Sequence, residues 1–211
     1  MASDARHPTV VELFQSQGCS SCPPANANVM RLADRPDLLT LSWQVTYWDY
    51  LGWKDTFDSP AFTQRQRDYA ARFGRTEVFT PEVVVNGRSD VVGVDRDELE
   101  ALIRRNDRSD TGPTVTIAAD KASVSGPPQV DAATVLLVRY DPRVLQIPVS
   151  RGENGGLTLP HRNVVRQVIA LGSWAGGNRT FALPASADPQ LRSAIIVQMG
   201  LGGAIIAAAH G

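Results

Sequence analysis

The chain is poor in cysteine, with two in 211 residues, and it holds three histidines and 14 aromatic residues. So few cysteines exclude a secreted scaffold stapled by several disulfides, and so few histidines leave little for a multi-ligand metal site. Charge of either sign is also lacking in excess: 21 basic and 22 acidic side chains give a formal net charge of −1. That balance supplies no general electrostatic drive toward nucleic acid or an anionic membrane. No apolar run is long enough to span a bilayer; the charge-free stretch 193–211 is broken by glycines. The first eight residues are polar and show no apolar core of a signal peptide. The protein is thus expected to be periplasmic or secreted if a signal peptide was removed, and otherwise cytoplasmic. At 43% hydrophobic residues the composition is that of an ordinary folded protein, not a disordered one.

What is present is a pattern. The two cysteines, Cys19 and Cys22, stand in C-x-x-C spacing. Residues 9–14 are short, apolar and β-branched, a buried strand, and 15–24 form a polar loop rich in turn residues. A helix is expected over 25–33 and a strand over 38–45, followed by an aromatic-rich loop reaching Trp53. A second helix over 61–73 leads to Thr80-Pro81, a strand over 82–85, an Asn86-Gly87 hairpin turn and a return strand over 90–94. Asp95 and Glu98 form a capping-box variant for a helix ending at Arg105. The order predicts an α/β domain over 1–108, a mixed four-stranded sheet with helices on both faces. After a polar run at 106–113 the character changes. Seven short strands at 114–118, 134–140, 145–149, 163–171, 180–183, 194–198 and 204–208 predict a β-rich, sandwich-like domain over 112–211.

The placement of the cysteines carries the chemistry. A thiol where a strand gives way to a helix faces unpaired backbone N–H groups and the positive end of the helix dipole, which stabilise its thiolate. Cys19, nearer the exposed loop, is the expected nucleophile, and Cys22, one turn on, the resolving thiol. Pro23 and Pro24 each remove a donor from the first turn, so activation of Cys19 is expected to be mild. Pro81 is expected to be cis, laying the Thr80 backbone across the sulfurs where an extended substrate chain can pair with it.

Residues 11–25, with Cys19-Ser20-Ser21-Cys22-Pro23-Pro24, resemble a block of an uncharacterised bacterial family of thioredoxin-like proteins, a domain of unknown function that is often signal-bearing. Residues 47–55, residues 80–87, His161-Arg162-Asn163 and Leu171-Gly172-Ser173-Trp174 resemble further blocks of the same family. The resemblance implies a thioredoxin-like fold and brings no substrate with it. Gln44 and Thr46 depart from it, standing where members commonly carry a histidine and an aspartate.

The leading expectation is a thiol–disulfide oxidoreductase acting on protein thiols or disulfides, reset by an external redox partner. It uses no organic cofactor, because the dithiol itself carries two electrons. Copper(I) handling by the two thiolates with a third partner is one alternative, and a non-enzymatic binding module is another. Trp48 and Trp53 are candidate rims for a substrate beside Cys19, and Asp49 a candidate proton acceptor. Arg65, Arg67 and Arg72 read as solvated charge on one helix face. His161 and Arg162 reach the cleft only if the second half folds back over the first.

Overall fold

The computed structural model describes residues 3–211; Met1 and Ala2, at the head of the expected first unit and its polar start, lie outside them. The first half runs β1 (Thr9–Gln15), α1 (Cys22–Leu32), β2 (Leu38–Gln44), a 3-10 turn (Asp49–Leu51), α2 (Pro60–Arg72), β3 (Glu82–Val85), β4 (Ser89–Val91) and α3 (Arg96–Arg105). The second half is strands: β5 (Thr114–Ile117), β6 (Lys121–Gly126), β7 (Ala133–Asp141), β8 (Leu145–Pro148) and β9 (Thr158–His161). It continues with β10 (Val164–Trp174), β11 (Gly177–Ala182), β12 (Arg192–Met199) and β13 (Ile205–His210). The protein is therefore mixed α/β, with a large mixed sheet and few helices.

The local signals explain the helices. Ser59 Oγ accepts from Ala61 N (3.3 Å) at the start of α2, with Pro60 in the first turn. Asp95 caps α3 by accepting from Glu98 N at 2.9 Å. No side chain caps α1, which opens on Cys22-Pro23-Pro24. Asn86 and Gly87 both take positive φ (48° and 61°), as the hairpin between β3 and β4 requires.

The expected four-stranded sheet is corrected by its surroundings. Strands β2, β1, β3 and β4 form one end of an eight-stranded sheet ordered β13-β12-β7-β10-β2-β1-β3-β4. β1 and β2 are parallel (Leu13↔Ser42), β1 and β3 antiparallel (Leu13↔Val83), and β10 joins the outer side of β2 with Val164 opposite Ser42. Residues from both sides of the 106–113 run thus share one sheet. The physical reason is the edge: β2 is buried along its whole length, an apolar edge left open is a liability, and β10 pairs with it at Ser42, whose N–H donates to Asn163 O at 2.9 Å. The remaining strands form a three-stranded sheet (β11-β6-β5) and the β8–β9 hairpin. Strands β6 and β9 were not expected. β6 reads as polar and small, and β9 contains Pro160, which an edge strand tolerates.

Alternation along β1 divides the core. Val11 and Leu13 pack with Ala25 and Val29 of α1 and Leu99 and Ile103 of α3. Val10 and Phe14 pack with Phe62 and Tyr69 of α2, Trp43, and Ile196 and Ala208 from the second half. A third cluster gathers Val135, Trp174, Phe181 and Ile195.

The expected solvated arginine face is also corrected at one position. Arg65 Nε and Nη2 bind Glu12 Oε1 and Oε2 at 2.7 and 3.1 Å, inside a network with the Tyr69 hydroxyl and Gln198. Glu12 is fully buried on β1 and has only that network to satisfy it.

Candidate functional site

The site grows from the end of β1. Cys19 N donates to Ser16 O and Cys22 N to Cys19 O, each at 3.2 Å, so the loop folds into two successive turns that deliver Cys22 to the first position of α1. Cys19 and Cys22 are joined by a disulfide, their Cα atoms 5.5 Å apart. Ser21 Oγ lies 3.3 Å from Cys19 Sγ and donates to Thr80 O at 3.4 Å. The Thr80–Pro81 peptide is cis. Trp48 Nε1 donates to Thr80 Oγ1 at 2.7 Å, tying the aromatic loop to the same residue.

Below the cysteines the loop is anchored by Gln17. Its side-chain oxygen accepts from Trp53 Nε1 (2.9 Å), and its backbone N–H donates to Asp55 Oδ2 (2.7 Å). Asp55 also accepts from Phe57 N at 2.9 Å. Burial pushes the Asp55 carboxyl up to about 6 against these stabilising hydrogen bonds. Asp49 reaches this network one step further out, accepting from Asp55 N at 3.3 Å. Asp58 is pushed up to about 7 by desolvation and by the neighbouring Asp49 carboxyl. Asp55 thus bonds the cysteine loop directly at Gln17, and Asp49 is linked to it through Asp55.

Cys19 is not exposed. It is 0% accessible and Cys22 1%, and the cover comes from the connection between β8 and β9. Asn154 Nδ2 donates to Gln17 O (2.9 Å) and Cys19 O (2.8 Å). Glu153 Oε2 accepts from Ser20 N (2.9 Å) and Ser20 Oγ (2.7 Å), and those donors hold its carboxyl below the ordinary glutamate value. Gly152, at φ 79°, fits against the loop closely enough that an added Cβ would stand 3.7 Å from Trp53 Cβ and 3.8 Å from Gly18 Cα. The second half therefore folds back over the cysteines, and it brings His161 with it. His161 is 1% exposed and lines a cavity of about 120 Å³ together with Cys22. Desolvation lowers its pKa to about 4, leaving the ring neutral at physiological pH. Arg162 turns away and pairs with Asp34 at 2.5 Å.

Cys19, Cys22, Thr80, Pro81, Trp48 and Trp53 are therefore gathered around one loop. Glu153, Asn154 and Asp55 escaped the sequence reading. Gln44 is buried, its Nε2 donating to Ser42 Oγ at 3.1 Å, and Thr46 bonds Thr63. Among the described residues no group of three or more His, Cys, Asp or Glu is placed to hold a metal ion, and no helix is long and apolar enough to cross a membrane.

The fold and site define a class: a mixed α/β protein with a disulfide where its first strand passes into its first helix, covered by a segment from its second half. The chain belongs to the family described as "Protein of unknown function (DUF1223)", whose model matches residues 10–198. It is similar to a protein of Agrobacterium tumefaciens solved by X-ray crystallography: 31% identity, 100% of this chain and 95% of that one covered, TM-score 0.76. HBP35 of Porphyromonas gingivalis shares the fold at 13% identity, with 99% of this chain and 76% of that one covered and a TM-score of 0.62. No curated protein matches the chain.

Proposed function

We propose that this chain is a thiol–disulfide exchange protein whose first half, residues 1–108, is a thioredoxin-like unit and whose residues 112–211 are a β-rich extension that covers it. In the reduced state the Cys19 thiolate attacks a substrate disulfide, forming a mixed disulfide and expelling one substrate thiolate. Cys22 then attacks Cys19 Sγ, releases the second substrate sulfur as a thiolate and restores the Cys19–Cys22 bond. Two electrons pass from the protein dithiol to the substrate, and an external redox partner returns them. Thr80 and Pro81 shape the groove, with Trp48 fixing Thr80.

The single observation that carries this reading is the Cys19–Cys22 disulfide at the start of α1, with Ser21 Oγ bridging from the sulfur to Thr80 O. Four backbone N–H groups normally lack an intrahelical partner at a helix start; here Pro23 and Pro24 remove two, and Cys22 N already donates to Cys19 O. The reading therefore carries a Cys19 thiolate of moderate rather than extreme acidity. A disulfide of this kind suits an oxidising compartment, the periplasm or the exterior. Exchange with a protein requires the 149–157 segment to move off Cys19.

The test is a Cys22→Ser variant, which should trap a covalent mixed disulfide through Cys19. Insulin reduction by the unaltered protein should vanish in Cys19→Ser. A Cys19→Ser variant with unchanged activity would refute the assignment.

A further inference from the structure

Glu153 carries a charge that the exchange step does not use. It stands on the cover, and its Oε2 accepts from Ser20 N (2.9 Å) and Ser20 Oγ (2.7 Å) just ahead of α1. These two donors keep the carboxyl ionised at neutral pH. The cover's other tie is uncharged: Asn154 Nδ2 donates to Gln17 O and Cys19 O. An anion at a helix start is favourable while the cysteines form a disulfide, which has no charge of its own.

The same helix start must hold the Cys19 thiolate once the pair is reduced. Ser20 N is joined to the Cys19 carbonyl carbon, so covalent geometry keeps Cys19 Sγ within about 5 Å of it. The Glu153 carboxylate is then within about 8 Å of that sulfur, no farther than the screening length at physiological salt. Like charges at that distance disfavour each other roughly twofold in bulk water and roughly thirtyfold at the dielectric near a protein surface. Few donors offset this. Pro23 and Pro24 carry no N–H, Cys22 N donates to Cys19 O, and both Ser20 donors go to Glu153. Ser21 Oγ, 3.3 Å from Cys19 Sγ, remains. The other charges around the loop do not neutralise the pair. Asp55 holds Gln17 N with Asp49 and Asp58 behind it, Lys54 and Arg151 are exposed, Glu82 is paired with Arg75, and His161 is neutral. Burial acts in the same direction, since Cys19 is 0% accessible and a thiolate sealed there loses its water.

We propose that Glu153 couples the cover to the redox state of Cys19: its carboxylate seats the 149–157 segment over the neutral disulfide, and the Cys19 thiolate drives that segment off. The oxidised protein is closed, and the reduced protein is open at a pH above the Cys19 pKa. Reduction by a partner dithiol passes two electrons into the Cys19–Cys22 bond and leaves the partner as a disulfide. Of the partner's two protons, one goes to Cys22 and the other to solvent, so Cys19 stays a thiolate in an uncovered site. When the Cys19–Cys22 bond re-forms, the charge leaves Cys19, Glu153 seats again and the substrate's place closes. Closure that disfavours the thiolate also holds the Cys19 proton more firmly, so acid closes the reduced protein. Glu153 is a positioning residue and takes no part in bond making. The inference rests on the exchange reading for a Cys19 thiolate that forms and is consumed.

The test is hydrogen exchange of the full chain, read by mass spectrometry on peptides spanning 149–157 and on the Ser20 amide that Glu153 holds. Reduction by dithiothreitol at about pH 8 should speed both roughly tenfold. A Cys19→Ser chain, with neither disulfide nor thiolate there, should stay within about twofold of the oxidised protein. Glu153→Gln keeps an acceptor for Ser20 and removes the charge. It should cut the reduced-state gain and move the ultraviolet titration of the Cys19 thiolate to lower pH, with roughly threefold more thiolate below the midpoint. Equal exchange in the two redox states, opening of Cys19→Ser as full as that of the reduced protein, or an unmoved titration in Glu153→Gln overturns the coupling. The exchange reading survives each of these results if insulin reduction still requires Cys19. The redox comparison in the unaltered chain decides the matter even if a variant folds poorly. A disulfide that no dithiol reduces overturns both.

Discussion

Removing the side chain that holds the cover on Cys19 should expose the disulfide to proteins. Asn154 is buried, and its amide makes two hydrogen bonds to loop carbonyls, Gln17 O and Cys19 O. A net contribution of about 1 kcal/mol per bond puts the loss in Asn154→Ala at roughly 2 kcal/mol. Charged entirely against the seating of the 149–157 segment, that raises its open population about thirtyfold. If opening precedes attack on Cys19, reduction of the disulfide by a protein dithiol should accelerate by up to that factor. The same loss should lower Tm by roughly 4–8 °C for a chain of this size. The assay is stopped-flow reduction by a reduced thioredoxin, scored by alkylation mass shift, alongside a thermal melt. Should Tm fall as expected while the rate stays within about twofold, the segment would not be what guards Cys19.

Three further outcomes follow from the buried charges. His161 binds its proton more weakly folded (pKa about 4) than unfolded (6.5), so its contribution to stability is lost as pH falls through that window. Relative to His161→Gln, the unaltered protein should gain about 3 kcal/mol between pH 4 and 6.5 in urea titrations; a flat difference would contradict the burial of the ring. Glu82 is the opposite case: burial raises its pKa to about 7, so its contribution is greatest at acid pH and declines as pH rises through 7. A Glu82→Gln variant should flatten that decline, and an unaltered pH profile would refute the sign. Arg65→Met leaves the buried Glu12 carboxylate without its cation and should cost roughly 3–5 kcal/mol by chemical denaturation, against near-neutral effects expected for exposed arginines.

How much of this was legible depends on distance along the chain. The cysteine pair, the proline-led β3 and the Asn86-Gly87 turn are written in contiguous residues, where turn chemistry and strand–helix punctuation act locally. The cover was not legible, because Asn154 meets Cys19 across 135 positions and no periodicity announces a single polar contact. His161 needed the same long-range fact, since a lone histidine ahead of a strand looks the same whether it is solvated or beside a sulfur. Arg65 misled for a related reason: its helix pattern is that of surface charge, and only the burial of Glu12 on β1 turns it inward. The pairing of β10 with β2 was hidden because β propensity marks a strand without naming its neighbour.

The most direct measurement is a redox titration of the native protein in glutathione and dithiothreitol buffers, with the Cys19–Cys22 state read by alkylation mass shift. The account predicts one reversible two-electron transition, with a midpoint inside the span of roughly −120 to −270 mV covered by exchange proteins. A disulfide that stays intact across that span, and opens only when the protein unfolds, would make the pair a structural staple and contradict the account.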